Sequence, residues 1–286
     1  MSTVCASACL LKRRGHAAVT WKDSTVVWGG CYGVSPFNRP VDPSLVLVCR
    51  HPGGEWVKRS TGGDAPAHSV GAAAVAVGGA MIVLGGISTD DDSRVAWDNA
   101  AVHSLDLGTW RWTRLTPAGT PPADILAGSD PWLHGGRIYV LKERLLCYNA
   151  AGNRWEWPKA HNVPSPRAGS RTVAVGGAAF LFGGRSIATG EVLNDLHVVD
   201  MSSLRFRRVP FREGPCARAL HTLTLASEST AVLFGGDRHL ERLGDCWTLD
   251  LDKARRGGDA ASMWVQRRQH SHANRWEGTV CLFSLS

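Results

Sequence analysis

Nowhere does the sequence reach the roughly 18 uninterrupted apolar residues that a membrane-spanning helix needs. Its opening Met1-Ser2-Thr3-Val4-Cys5-Ala6 has no basic n-region, so nothing there reads as a secretory signal. Both absences predict a soluble protein, cytoplasmic or nuclear, with no membrane partner. The eight cysteines include no Cys-x-x-Cys and no Cys and His at zinc-finger spacing. They read as reduced residues in or beside apolar strands, not as metal ligands. Gly-x-Ser-x-Gly, His-Glu-x-x-His and nucleotide motifs are missing. Asp90-Asp91-Asp92 lacks the alternating ligands and terminal Glu of a calcium loop. The expectation is a non-enzyme with no cofactor, no metal and no catalytic residues.

Acidic side chains are also in deficit, 25 against 32 Lys and Arg, for a net charge of +7. The doublets Arg207-Arg208, Arg255-Arg256 and Arg267-Arg268 are scattered over outer strands and loops, with no RNA-binding signature. Nucleic acid is therefore disfavoured as a partner, and the charge favours acidic proteins.

Glycine is abundant: 32 residues against 14 prolines, in a chain that is 44% apolar. Four short apolar strands end in a glycine pair: Val27-Trp28-Gly29-Gly30, Val83-Leu84-Gly85-Gly86, Leu181-Phe182-Gly183-Gly184 and Leu233-Phe234-Gly235-Gly236. Each pair sits at the same place in a longer unit that closes on an aromatic. A unit of roughly 50 residues with diglycine after its second strand resembles the kelch β-propeller repeat. The predicted fold is all-β: one kelch propeller domain, 1–286, with five recognisable blades plus an incomplete sixth. The blades are placed at about 14–60, 66–116, 122–158, 166–210, 216–267 and, in part, 270–286. Blade three has Lys142-Glu143 in place of the glycines, so its second and third strands must join by a tight turn near Lys142 to Arg144. Thr3 to Leu11 could lend a strand to blade six.

Within each unit the residues read as structure. Crowding where blades meet requires glycine after the second strand. Gly78-Gly79, Gly135-Gly136 and Gly176-Gly177 are hairpin turn signals. Trp56, Trp112, Trp157 and Trp264 read as packing wedges. Arg14, Arg167 and Arg218 recur at blade entries with His16, His68 and His221 near them. Because residues repeated in every unit usually serve the unit, they are expected to hydrogen-bond blade loops across the ring. Asn194-Asp195 and Gly244-Asp245 are expected to make Asx turns at the third strands.

The phrases Arg14-Gly15-His16-Ala17-Ala18-Val19, Pro164-Ser165-Pro166-Arg167-Ala168, Phe182-Gly183-Gly184-Arg185 and Asn194-Asp195-Leu196-His197 resemble one kelch-domain-containing subfamily, the substrate receptors of cullin-RING ubiquitin ligases. That resemblance implies a protein-interaction module that binds the C-terminus of a client protein or peptide, often one ending in diglycine, and a cullin-RING adaptor. It places a carboxylate-binding arginine at Arg185, with Arg218 and Leu220 as supporting loop residues. A second arginine position is filled by Glu191-Val192-Leu193, the family's Ser-Trp pair is Ala219-Leu220, and no helical adaptor box follows the propeller. These departures imply weaker binding and an altered preference. The alternatives are a kelch scaffold without a ligase role and, less favoured, a propeller enzyme.

Overall fold

The structure, a computed structural model, describes residues 13–32, 39–67, 70–89, 95–97, 102–123, 128–239, 241–257 and 263–267. Among these residues five sheets, each built on four successive antiparallel strands, follow one another as propeller blades. Blade one is Arg14–Trp21, Ser24–Tyr32, Leu45–Arg50 and Trp56–Ser60. Blade two is Ala73–Val77, Ala80–Leu84, Val102–Asp106 and Arg111–Leu115. Blade three, the shortest-stranded, is Trp132–His134, Arg137–Leu141, Leu145–Asn149 and Arg154–Glu156. Its middle strands are joined through the expected tight reversal, with the Lys142 N–H donating to the Arg144 carbonyl. Blade four is Arg171–Val175, Ala178–Phe182, Leu196–Asp200 and Arg205–Val209. Blade five is Thr222–Leu225, Thr230–Phe234, Cys246–Asp250 and Trp264–Arg267. The sixth blade, the Thr3 to Leu11 strand, His68 and the Asp90–Asp92 loop lie outside the described residues.

The described residues fall into two compact units, 13–128 with 149–155, and 129–148 with 156–267. The first unit has a core of Val26, Trp28, Val46, Met81, Val83, Leu105 and Trp112, in which the Trp28 and Trp112 rings lie 5.2 Å apart. In the second unit Phe180, Phe182, Leu233 and Trp264 form one core cluster, and Tyr139, Cys147, Leu181 and Phe206 another. Each fully buried large side chain stabilises by about 1.5–3 kcal/mol, so the alternation of apolar residues along the strands fixes their register.

Trp112 and Trp264 are buried wedges, as expected, and Phe206 fills the same place in blade four, but Trp56 is only half-buried and blade three uses Trp155 and not Trp157. The strand Arg154–Glu156 ends one residue before Trp157, which is half-buried with the Arg144 guanidinium over its ring. A second repeated device ties outer strands in parallel: Gly62–Gly63 to Arg111–Leu115, Ala118 to Arg154, and His161 to Arg205.

Diglycine follows from backbone geometry and lack of space. Gly183 and Gly184 have φ 63° and 99°, and a Cβ on Gly184 would meet the Ser170 Cβ at 2.9 Å. The hairpin pairs Gly78-Gly79, Gly135-Gly136 and Gly176-Gly177 also have positive φ at both residues, as two-residue primed turns require. The one described helix of ordinary form, Leu251–Arg256, was not anticipated. Asp250 caps it by accepting from the Lys253 N–H, and Gly257 closes it. It is too short to span a membrane.

Candidate functional site

The arginines at the blade entries are internal. Arg167 is 4% exposed and Arg218 0%. Arg218 donates to both oxygens of Asp245 at 2.7 and 2.8 Å, to the Gly235 carbonyl at 3.0 Å and to the Cys216 carbonyl at 3.1 Å. Arg167 repeats the pattern with Asp195 at 2.6 and 3.0 Å and with the Gly183 carbonyl at 3.1 Å. In blade one the matching residue is Arg13, not Arg14, because it is Arg13 that donates to the Gly29 carbonyl. Both carboxylates therefore serve as ion-pair partners within their own blade. His197 and Trp247 each bond the same carboxylate from two residues on. Burial pushes the Asp195 and Asp245 carboxyls up, but these donors overcome it and hold both below the usual carboxylate range. Arg218, expected to support a ligand loop, is fully buried and does not face solvent. Only its backbone reaches blade four, through Gly184 N–H to Arg218 O and Arg218 N–H to Leu193 O.

Arg185 stands on a two-stranded ribbon outside the blade sheets. Arg167 pairs with Ser186 and Ala168 with Arg185, and Ile187 N–H donates to the Pro166 carbonyl. Alternation along such a ribbon puts Arg185 and Ile187 on one face and Ser186 on the other. Accordingly Ser186 is 7% exposed and Ile187 59%. The Arg185 side chain is 36% exposed, and its guanidinium donates to the Gly190 carbonyl at 3.0 Å and to Asp237 at 3.2 Å. Asp237 occupies in blade five the position that Arg185 occupies in blade four, directly after the glycine pair. Its other oxygen, Oδ1, is buried and takes part in no hydrogen bond among the described residues.

Leu220 sits at a register position with a rule of its own. The residue after the second glycine pairs across to Arg14, Val70, Ala168 and Ala219 in blades one, two, four and five. The next residue in each is Gly15, Gly71, Gly169 and Leu220, at φ 63°, 68°, 68° and 56°. Hydrogen bonds link these positions from blade to blade: Gly71 N–H to Gly15 O, Gly128 N–H to Gly71 O, and Leu220 N–H to Gly169 O. Gly128, at φ 72°, is the blade-three member of the series. A left-handed conformation costs a non-glycine residue roughly 1–2 kcal/mol. Leu220 is nevertheless a leucine, 65% exposed, with its side chain against Gly169, where a Cβ would lie 3.0 Å from Leu220 Cδ2.

His221 and Asp130 share one charged neighbour, Arg171. His221 is fully buried, its ring edge-on to Phe182 at 5.5 Å, and neither ring nitrogen has a partner among the described residues. Burial first, then Arg171 and Arg218, pushes its pKa down to about 3. It therefore acts as a neutral wedge and makes none of the expected hydrogen bonds. Asp130 accepts from the Thr172 N–H and faces Arg171 at 3.9 Å. Burial, opposed by Arg171 and by that bond, raises its pKa to about 6. Burial also lifts the Cys147 thiol to about 12, which removes it as a nucleophile at neutral pH. Among the described residues no group of three or more His, Cys, Asp or Glu could hold a metal ion.

Residues 125–281 match the family model described as the KLHDC2/KLHL20/DRC7 Kelch-repeats domain. The chain is 26% identical to Kelch domain-containing protein 2 of Bos taurus, over 96% of this chain and 74% of that protein. It is 24% identical to Kelch domain-containing protein 3 of Homo sapiens, over 83% of this chain and 65% of that protein. Similarity to human Host cell factor 1 reaches 29% identity over 77% of this chain but spans 12% of that much longer protein.

Proposed function

We propose, for a chain that belongs to the KLHDC2/KLHL20/DRC7 kelch-repeat family, that it is a protein-interaction propeller whose blade-four and blade-five loops take the free C-terminus of a client at Arg185. The observation that carries this reading is the Arg185 side chain, a guanidinium with five N–H donors of which Gly190 and Asp237 engage two, on an accessible ribbon face. A guanidinium grips a carboxylate bidentately, and a charge-assisted contact of that kind contributes about 1.5–3 kcal/mol, or roughly 10- to 150-fold in affinity. Asp237 competes for the same donors, so this site belongs at the low end, near tenfold.

The paired residues give the test. In titrations with ten-residue peptides ending in diglycine with a free carboxylate, Arg185→Ala should weaken binding about tenfold. Asp237→Asn, which removes the competing charge and keeps the side chain's size, should tighten it. If both substitutions leave the affinity unchanged, the reading is wrong.

The resemblance to cullin-RING substrate receptors supports a place for the propeller as a substrate-recognition subunit of such a ligase. Co-precipitation of purified cullin adaptors with the chain tests that setting. Failure of every adaptor to bind leaves a kelch scaffold or adaptor without a ligase role.

A further inference from the structure

Arg185 is flanked by exposed apolar side chains for which the blade repeat gives no reason. Ile187, 59% exposed, shares its ribbon face, and Ala168, the cross-strand neighbour of Arg185, is exposed too. Leu220 lies against Gly169, the residue following Ala168, and its own neighbour Ala219 pairs with Asp237, the ion-pair partner of Arg185. Glycine would satisfy the φ of 56° at position 220 without strain and would still donate its N–H to the Gly169 carbonyl. Neither the backbone nor the core is served by a 65% exposed leucine at that point. Strain of this kind, where the fold does not ask for it, marks a place where the side chain itself is used.

Resting on the reading of Arg185 as the carboxylate contact, we infer that the client's C-terminal residue carries an aliphatic side chain, and that Leu220 is the residue that selects it. The geometry offers one cation between apolar walls, the complement of a terminal leucine or valine, whose carboxylate and side chain leave the same Cα. A terminal glycine would meet the cation and leave Leu220 and Ile187 exposed. Partial burial of one aliphatic side chain against these walls gives about a tenfold preference over glycine. Leu220 is thus a specificity-determining residue, distinct from Arg185, which supplies affinity for the charge.

The experiment uses the full chain and ten-residue peptides of one sequence ending in Gly-Leu, Gly-Val or Gly-Gly, each with a free and an amidated C-terminus. Binding is titrated to wild type, Leu220→Gly, Ile187→Ser and Arg185→Ala. Wild type should prefer the Leu and Val peptides to Gly-Gly by about tenfold. Leu220→Gly should remove most of that preference and raise the melting temperature, which shows that the variant is folded. Ile187→Ser should reduce the preference by a smaller factor. Equal affinity of wild type for all three free peptides, or a preference that survives Leu220→Gly, overturns the inference while leaving the carboxylate reading intact. An aliphatic preference that depends on Leu220 but persists with amidated peptides and in Arg185→Ala overturns the carboxylate reading and retains Leu220 as an apolar contact. Absence of binding by all six peptides rejects both.

Discussion

Replacing Arg218 by methionine, which keeps most of the volume and removes the charge, should destabilise the protein more than any surface change. The side chain is fully buried and satisfies both oxygens of Asp245 together with the Gly235 and Cys216 carbonyls. Breaking a buried pair from one side typically costs about 3–5 kcal/mol, because the remaining charge loses its compensation. The Asp245 side chain is 25% exposed and keeps its bond from Trp247, so the low end, about 3 kcal/mol, applies. For a chain of this length that corresponds to a fall in Tm of roughly 5 °C. Thermal unfolding followed by near-ultraviolet circular dichroism measures it. The companion variant Arg218→Met/Asp245→Leu should lose less than the sum of the two single changes, since each single change leaves an isolated charge and the double variant leaves none. A fall under about 2 °C for Arg218→Met, or full additivity in the double variant, would refute the assignment of this pair as an anchor of blade five.

Three further outcomes follow from local geometry. Gly184→Ala should cost about 2 kcal/mol or more in chemical denaturation, because its φ of 99° and the Ser170 Cβ at 2.9 Å both oppose a methyl group. Asp130→Asn should stabilise at neutral pH and not at pH 4. The folded pKa of Asp130, about 6, lies above the ordinary carboxylate value, so its contribution is present below about pH 4 and is lost as pH rises through 6, a change on the order of 2–3 kcal/mol. Tm differences between variant and wild type at pH 4 and pH 7 measure it, and a constant difference contradicts it. His221→Phe should flatten the acid limb of the stability profile between about pH 6.5 and 3, since the neutral ring of His221, its pKa lowered to about 3, loses stability relative to the unfolded chain as pH falls.

What the sequence showed plainly was whatever depends on local backbone geometry. The glycine pairs, the hairpin diglycines and the tight reversal at Lys142 to Arg144 could all be placed because positive φ and short connections are readable within a few residues. Partners far apart in sequence were not readable. Asp195 and Asp245 stand 28 and 27 residues from their arginines, and a local Asx turn was the nearer explanation for them. Arg13 was passed over for Arg14 because only the pairing of Arg14 with Cys31 aligns Arg14 with Ala168 and so puts Arg13 in register with Arg167. Trp157 was preferred to Trp155 because both lie on the alternation, and only the end of the strand at Glu156 separates them. At the candidate site, Arg185 was legible only through the family resemblance, which implies a carboxylate-binding arginine directly after the diglycine of blade four. The Asp237 pair and the strained leucine became visible only once the five blades were set in register. Aligning the residue two before the first strands of blades two, four and five would have shown Leu220 against Gly71 and Gly169, a signal present in the sequence but hidden by the varied spacing of the repeats.

The central claim, that Arg185 reads a free C-terminus, is tested most directly by one comparison: the affinity of wild type for a single peptide with a free carboxylate and for the same peptide amidated. The account predicts that the free form binds about tenfold more tightly and that the difference disappears in Arg185→Ala. Equal binding of the two forms by the wild type would contradict it.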